Sequence, residues 1–146
     1  MKIKDAMTKK IDLVDPNMTV EQAAKLMVKD NIGFLPVGEN DRMVGMITDR
    51  DIVVRAVAHG KNPSQAKVRD VMTEHVLYCY EDESIEIAAQ NMADLQIRRM
   101  PIINREKRLV GILSLADIAR RCDSKQAGEA LKHVAKPSRE PLHLPH

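Results

Sequence analysis

Two segments of the chain each contain a glycine, a hydroxyl side chain three residues later and a carboxylate three residues after that. One pairs Thr48 with Asp51, and the other pairs Ser114 with Asp117. Glycine leaves room for a ligand to approach the backbone, and a hydroxyl beside free N–H groups at a helix start suits a phosphate. An aspartate can accept two hydrogen bonds from a ribose diol. The pattern therefore predicts a site that holds a nucleotide by its sugar and phosphate.

The same residues also satisfy a purely structural interpretation. In a capping box, a Thr or Ser side chain accepts from a backbone N–H three residues later, and the acidic residue there bonds back to the N-cap N–H. A cap does not need the preceding glycine, but duplication of an ancestral segment would preserve a cap as well as a binding site. Both interpretations therefore stay open at the level of the sequence.

The segments that must position these residues are also repeated in the sequence. Asp5–Thr8 (Asp-Ala-Met-Thr) recurs as Asp70–Thr73 (Asp-Val-Met-Thr) at an offset of 65 residues, and the offset becomes 66 residues at the glycine motif. Internal repetition of this kind fixes the architecture. We expect two similar units, each with a half-covered apolar face, to pack against each other and to form two related clefts.

Each copy predicts the same order of elements, β-α-β-β-α. Thr19 and Ser84 are expected to start helices that carry an apolar stripe at i, i+3, i+4 and i+7. Apolar strands at 34–37 and 43–48, and again at 100–103 and 109–114, flank polar turns and predict hairpins. The proline in the first strand of each pair is expected at its start or at an edge. Second helices over 50–58 and 116–122 place the motif where a strand ends and a helix begins.

The predicted fold class is therefore α+β (α/β-like), with two β-α-β-β-α repeats packed with pseudo-two-fold symmetry. The repeats are expected over 1–60 and 68–122, with a linker over 61–67. Residues 123–146 form a tail, predicted as a weak helix over 124–134 followed by a disordered, proline-rich end.

Composition narrows the classes of function. The chain has 146 residues, 44% of them hydrophobic and only 2% aromatic, and a formal charge of +2. This near-neutral balance gives no bulk attraction to nucleic acid or to anionic lipid, and few aromatic rings are present on which bases could stack. No catalytic constellation stands out, so we expect a protein that is not an enzyme.

Location and metal binding are also constrained. The sequence has no apolar run of 18 residues and no signal-peptide pattern, so a cytoplasmic protein without membrane contact is expected. Cys79 and Cys122 are isolated, as expected for reduced thiols in a cytoplasm. His133, His143 and His146 are irregularly spaced and fit a solvated tail better than a metal site.

Taken together, these motifs resemble a tandem cystathionine β-synthase (CBS) domain pair, also called a Bateman module. The duplication, the Asp-x-Met-Thr openings, the apolar-Pro-apolar strands and the glycine motifs carry the resemblance over residues 1–122. It implies an adenosine-containing regulatory ligand (AMP, ADP, ATP, NAD or S-adenosylmethionine) in clefts between the repeats, and no required cofactor. It also implies a homodimer that transmits a conformational change to an unidentified protein target.

The resemblance further implies roles for individual residues. By motif position Asp51 and Asp117 would hold ribose. Residues 97–101 are similar to a phosphate-binding segment in the γ subunits of energy-sensing kinases, which implies phosphate contacts for Arg98 and Arg99. The candidate ligand-binding residues are Gly33, Phe34, Leu35, Thr48, Asp51, Arg98, Arg99, Met100, Pro101, Ser114 and Asp117.

The two copies differ at one place in this set. Gly33 and Phe34 stand where the second copy has its basic pair, so the first site is expected to admit a base and to bring no positive charge there. Unequal sites are therefore expected, with phosphate held mainly by the second copy. The alternative function is a structural or interaction module with empty clefts, in which the helix starts serve only as caps.

Overall fold

The computed structural model describes residues 1–9, 11–40, 42–74, 76–95 and 97–135. The chain forms two compact units. Ile11–Val76 make up the 11–76 unit, and Met1–Lys10 join Leu77–Leu142 in the 77–142 unit. The sequence repeats and the compact units thus divide the chain differently. The end of the chain that we predict to be disordered, beyond residue 135, lies outside the described residues.

The 11–76 unit contains one hairpin and the helices around it. Its elements are α1 (Val20–Asp30), β1 (Phe34–Glu39), β2 (Arg42–Thr48), α2 (Asp49–Asp51), which continues as a π-helix (Ile52–Val57), and α3 (Val68–Val71). The strands β1 and β2 pair antiparallel, with Phe34 opposite Thr48. The extended piece expected before α1 is reduced to a single parallel bridge between Val14 and Val37. Thr19 caps α1 in a capping box with Gln22, as predicted.

The helix predicted over 50–58 is not a regular α-helix. After one α-helical turn the backbone widens, and the Ala58 N–H donates to the Val53 carbonyl at 2.9 Å, an i+5 bond. Three consecutive β-branched residues, Ile52 to Val54, fill this stretch. Side chains branched at Cβ have restricted χ1 angles and lower the preference for a regular α-helix in this stretch.

The 77–142 unit is a three-stranded sheet with helices. Its elements are β3 (Cys79–Tyr80), α4 (Ile85–Leu95), β4 (Arg99–Ile103), β5 (Leu109–Ser114), α5 (Leu115–Arg121) and α6 (Ser124–Val134). The strand order is β3-β4-β5, with β3 parallel and β5 antiparallel to β4. The expectation that proline lies at a strand start or edge is wrong for Pro101, which lies in the middle strand. The position is tolerated because β3 pairs only with Ile102 and Ile103, so the missing N–H of Pro101 does not interrupt that ladder.

Each unit encloses its own apolar core, and the helix stripes predicted from the sequence supply much of both. The core of the 11–76 unit is Val14, Val20, Ala23, Met27, Leu35, Val37, Ile47, Ala56, Val68, Val71 and Met72. The core of the 77–142 unit is Ile3, Ala6, Met7, Cys79, Ile85, Ala88, Met92, Met100, Ile102, Leu113, Ile118 and Val134. Aliphatic residues and methionine thus build both cores. None of the described helices is long and apolar enough to cross a membrane.

Each Asp-x-Met-Thr segment packs on the hairpin of the other repeat. Thr8, from the start of the chain, exchanges two backbone hydrogen bonds with Ile112 of β5, at 2.8 and 2.9 Å. Thr73 does the same with Met46 of β2, at 2.8 and 2.9 Å. Both units therefore place a threonine from this segment beside the strand that leads into the glycine motif.

Candidate ligand-binding site

In the 11–76 unit the motif forms the corner between β2 and α2. The Asp51 N–H donates to Thr48 Oγ1 at 3.0 Å, and the Thr48 N–H donates back to Asp51 Oδ2 at 3.0 Å. Asp51 is only 4% exposed. Burial raises the pKa of the Asp51 carboxyl above its ordinary value, while hydrogen bonds with Thr48 and the positive charge of Arg55 oppose the shift. The corner thus holds a buried carboxylate in a reciprocal cap.

The corner between β5 and α5 in the 77–142 unit repeats this geometry. The Asp117 N–H donates to Ser114 Oγ at 3.0 Å, and the Ser114 N–H donates to Asp117 Oδ2 at 2.9 Å. Asp117 is also 4% exposed. The capping interpretation of both motifs is therefore confirmed, and any ligand role of these carboxylates must be compatible with it.

The space beside the glycine of each motif is filled by another segment of the same chain. The interpretation of these glycines as room for a ligand is therefore wrong. A Cβ atom at Gly45 would lie 2.6 Å from the Thr73 carbonyl oxygen, and one at Gly111 would lie 2.6 Å from Met7 Sδ and 3.0 Å from the Thr8 carbonyl oxygen. All three neighbours belong to the Asp-x-Met-Thr segments. The glycines are needed because these segments cross close above the strands.

The structure brings Gly33 and Phe34 to the Asp51 corner. Phe34 lies opposite Thr48 in the hairpin, and the Asp49 N–H donates to the Gly33 carbonyl at 2.9 Å. A Cβ at Gly33 would clash with Asp49 Oδ2. The space beside Gly33 therefore holds the Asp49 carboxylate, and a base that entered there would have to displace this side chain.

The structure likewise brings the basic pair to the Asp117 corner. Arg99 lies opposite Ser114, and the Leu115 N–H donates to the Arg98 carbonyl at 2.8 Å. The side chains of Arg98 and Arg99 are exposed. Opposed residues of an antiparallel pair share a face, and the next pair along, Met100 with Leu113, is buried in the core. Arg99 and Ser114 thus share the face turned away from the core.

Three other candidates lie in the packed interior. Leu35 and Met100 are each 1% exposed and are members of the two cores. Pro101 is buried opposite Ile112. These residues shape the strands that carry the corners, and their side chains are already in contact with the protein.

Sequence reasoning assigned no role to several residues that complete the corners. Thr8 Oγ1 donates to Asp117 Oδ1 at 3.5 Å, and the Thr73 hydroxyl hydrogen-bonds to Asp51. Arg55 Nη1 donates to the Met72 carbonyl at 2.8 Å, and its buried Nε has no hydrogen-bond partner. The repetition of the two threonines was the available signal, since both belong to the duplicated Asp-x-Met-Thr segments.

The arrangement has a definite chemical capacity. Each corner presents a fixed carboxylate with one oxygen committed to the cap and with hydroxyl groups beside it. Such a group can accept hydrogen bonds from vicinal hydroxyls, and the exposed Arg98 and Arg99 can pair with an anion. Among the described residues, no group of three or more His, Cys, Asp or Glu side chains is placed to hold a metal ion.

Comparison with known proteins places this geometry in context. The CBS domain profile matches residues 3–57 and 68–124. The CBS domain-containing protein YhcV of Bacillus subtilis is 40% identical over 91% of this chain and 94% of its own length. Hypoxic response protein 1 of Mycobacterium tuberculosis is 36% identical over 92% of this chain and 94% of its own length.

Solved structures of CBS proteins are also similar to this chain in fold. The crystal structure of Hypoxic Response Protein I with two coordinated zinc ions superposes with a TM-score of 0.77, at 36% identity, over 84% of this chain and all of the other. The CBS domain pair of protein MJ0100, in complex with 5′-methylthioadenosine and S-adenosyl-L-methionine, superposes with a TM-score of 0.74, at 31% identity, over 82% of this chain and 94% of the other.

Proposed function

The chain belongs to the CBS domain family, and on that premise we propose that it is a non-catalytic regulatory module that binds adenosine-containing ligands at its two capped corners. The buried carboxylate repeated in both units, Asp51 and Asp117, each 4% exposed, carries the proposal. Hiding a carboxylate from water is costly, and a cap alone can be made by an exposed acid, as at Asp70, which accepts from the Lys67 N–H at 3.3 Å.

The ligand class follows from the groups at the corners and from one related structure. A carboxylate with one oxygen not used by the cap suits the 2′ and 3′ hydroxyls of ribose. The MJ0100 pair was solved with two adenosine derivatives, 5′-methylthioadenosine and S-adenosyl-L-methionine. In the proposal, Thr48 and Ser114 contact the sugar or phosphate, and Arg98 with Arg99 pairs with phosphate in the 77–142 unit.

The output of such a module is a shift in conformation. A ligand shifts an equilibrium only by the difference in its affinity for the two states. The proposal therefore includes a conformational response that an unidentified protein target recognises. It also includes a homodimer, which the exposed apolar side chains of Val28 (83%), Val53 and Val57 (both 58%) favour. Sedimentation of wild type against Val28→Glu tests the dimer, which the variant should weaken.

A second candidate function is a structural or interaction module whose corners bind nothing. The observation that favours it is that both carboxylates already complete capping boxes. This candidate predicts that no nucleotide stabilises the protein and that the acids matter only for folding.

Thermal unfolding with AMP, ADP, ATP, NAD and S-adenosylmethionine separates the two candidates. A ligand at about 100 times its Kd should add about 2.7 kcal/mol of stability. Asp51→Asn and Asp117→Asn are the informative variants, because the amide oxygen can still accept the cap bond while the carboxylate is lost. Each should remove the ligand-induced gain at its own unit, whereas Asp70→Asn, an exposed cap outside the corners, should leave the gain intact. If no ligand raises the midpoint at millimolar concentration, the ligand-binding proposal fails and the structural candidate stands.

A further inference from the structure

The carboxylate of Asp117 already has a charged partner. Arg120 Nη2 donates to Asp117 Oδ1 at 2.5 Å, and Thr8 Oγ1 approaches the same oxygen at 3.5 Å. Oδ2 accepts the cap bond from the Ser114 N–H at 2.9 Å. The Asp117 side chain is 5% exposed and that of Arg120 is 66% exposed. An exposed guanidinium thus covers the oxygen that would face a ribose diol.

The corresponding carboxylate in the 11–76 unit has no such cover. The residue three positions after Asp51 is Val54, which cannot form an ion pair. In the part of the chain that the structure describes, no ion pair is made by Asp51. Arg55, four residues after Asp51, donates through Nη1 to the carbonyls of Val71, at 3.3 Å, and Met72, at 2.8 Å. The two corners therefore share a carboxylate and differ in what competes for it.

The residues at the start of the first hairpin strand also differ in charge between the two corners. The 77–142 corner has Arg98 and Arg99 at the start of β4, both exposed. The 11–76 corner has Gly33 and Phe34 in their place, and the Asp49 carboxylate fills the space beside Gly33. At these positions the 77–142 corner therefore carries two guanidinium groups, whereas the 11–76 corner carries the Asp49 carboxylate next to the exposed Arg50.

We propose that Arg120 is a specificity-determining residue that a bound ribose must displace from Asp117, after which its guanidinium pairs with the phosphate of the ligand. The 77–142 corner then selects phosphorylated adenosine ligands, because only these give the displaced cation a new anion. The 11–76 corner lacks this exchange, because position 54 is valine and Asp51 makes no ion pair among the described residues, so it should discriminate less between phosphorylated and uncharged adenosine ligands. This inference rests on the proposed function and adds the ligand class of the 77–142 corner.

The physical basis is the exchange of one charge-assisted contact for another. Arg120 is largely exposed and can turn without disturbing the core. Planar guanidinium groups pair with phosphate in the same two-pronged way as with carboxylate. Neutral adenosine would leave the displaced cation with water alone, so its binding must overcome the loss of the ion pair.

Equilibrium binding of AMP and of adenosine tests the inference on four proteins, each carrying Asp51→Asn so that the 77–142 corner is observed. The four are this parent, Arg120→Val, Arg120→Lys and the control Arg121→Val, whose residue is exposed and adjacent. Arg120→Val, which copies Val54, should bind adenosine about tenfold more tightly and AMP with little change, so that the preference for AMP over adenosine falls about tenfold. Arg120→Lys should keep much of the preference for AMP, and Arg121→Val should match the parent.

The outcomes separate this inference from the proposed function. If Arg120→Val does not tighten adenosine binding, or leaves the ratio of AMP to adenosine affinity unchanged, the inference is overturned while adenosine binding stands. If neither ligand binds the protein with all its native residues, the proposed function fails and the inference falls with it.

Discussion

Replacing Gly45 with alanine tests how tightly the Asp-x-Met-Thr segment is held over β2. The added Cβ would lie 2.6 Å from the Thr73 carbonyl oxygen and 3.1 Å from Met72 Sδ. Ordinary contacts begin at 3.4 Å, so the segment must move away by about 0.8 Å. Since the nearest atom is backbone, no side-chain rotation relieves the clash.

The expected loss of stability follows from what that movement breaks. Thr73 and Met46 exchange two backbone hydrogen bonds, at 2.8 and 2.9 Å, each worth about 1 kcal/mol net. Displacing Met72, which is 9% exposed, adds an overpacking cost of about 1 kcal/mol. Gly45→Ala should therefore lower the free energy of unfolding by about 3 kcal/mol.

Urea denaturation followed by circular dichroism measures this loss, with two glycines as matched controls. Gly111→Ala should cost only about 1–2 kcal/mol, because its nearest atom is the flexible end of Met7. Gly128→Ala, in helix α6 with nothing within 4 Å of its Cβ, should gain about 1 kcal/mol from helix propensity. A loss at Gly45 no larger than at Gly111, or a gain at either, would refute the packing argument.

Three further predictions concern the caps, the buried acid and the thiols. Thr48→Ala and Ser114→Ala should each lower the free energy of unfolding by about 1 kcal/mol, and denaturation that shows no loss would contradict the caps. Burial raises the pKa of Asp51 above 3.8, so the folded state holds this proton more tightly than the unfolded chain. Wild type should therefore lose stability relative to Asp51→Asn as the pH rises from 3.8 through the folded pKa, and a constant difference would argue against the shift. Cys79 is 1% exposed and Cys122 is half-buried, and burial raises the pKa of both thiols. A thiol reagent should label Cys122 first, and earlier labelling of Cys79 would contradict the packing.

Local patterns predicted the elements of the fold well. The stripes at Val20 and Ile85 yielded helices α1 and α4, and the apolar runs around polar turns yielded both hairpins. The Thr19 capping box formed as expected. These features depend on residues within one or two turns of each other, so the sequence pattern contains most of the information.

Features set by distant contacts were not predictable in the same way. The sequence of Asp5–Thr8 does not show whether this segment packs on β5 or on β2 of the hairpin that directly follows it. Both hairpins offer a similar strand and a glycine. The role of Gly45 was misinterpreted for the same reason, because its neighbour is Thr73 and not a ligand. The π-helix after Asp51 widens a segment whose spacing still fits an α-helix.

At the candidate site, the sequence indicated the carboxylates and the basic pair, and the structure places each beside its corner. The pairing of Asp117 with Arg120 was visible as an i, i+3 spacing of opposite charges. Such spacings are common on exposed helices. This pair differs from them because the carboxylate of Asp117 is buried, which the sequence pattern does not show.

The most direct test of the central claim compares AMP with its 2′,3′-dideoxy analogue in a double-mutant cycle with Asp51→Asn/Asp117→Asn. If the carboxylates hold the ribose diol, the analogue should bind wild type at least about tenfold more weakly than AMP, as expected for lost hydrogen bonds to charged groups. That difference should largely vanish in the double variant. Equal binding of the two ligands to wild type, or an undiminished difference in the variant, would contradict the account.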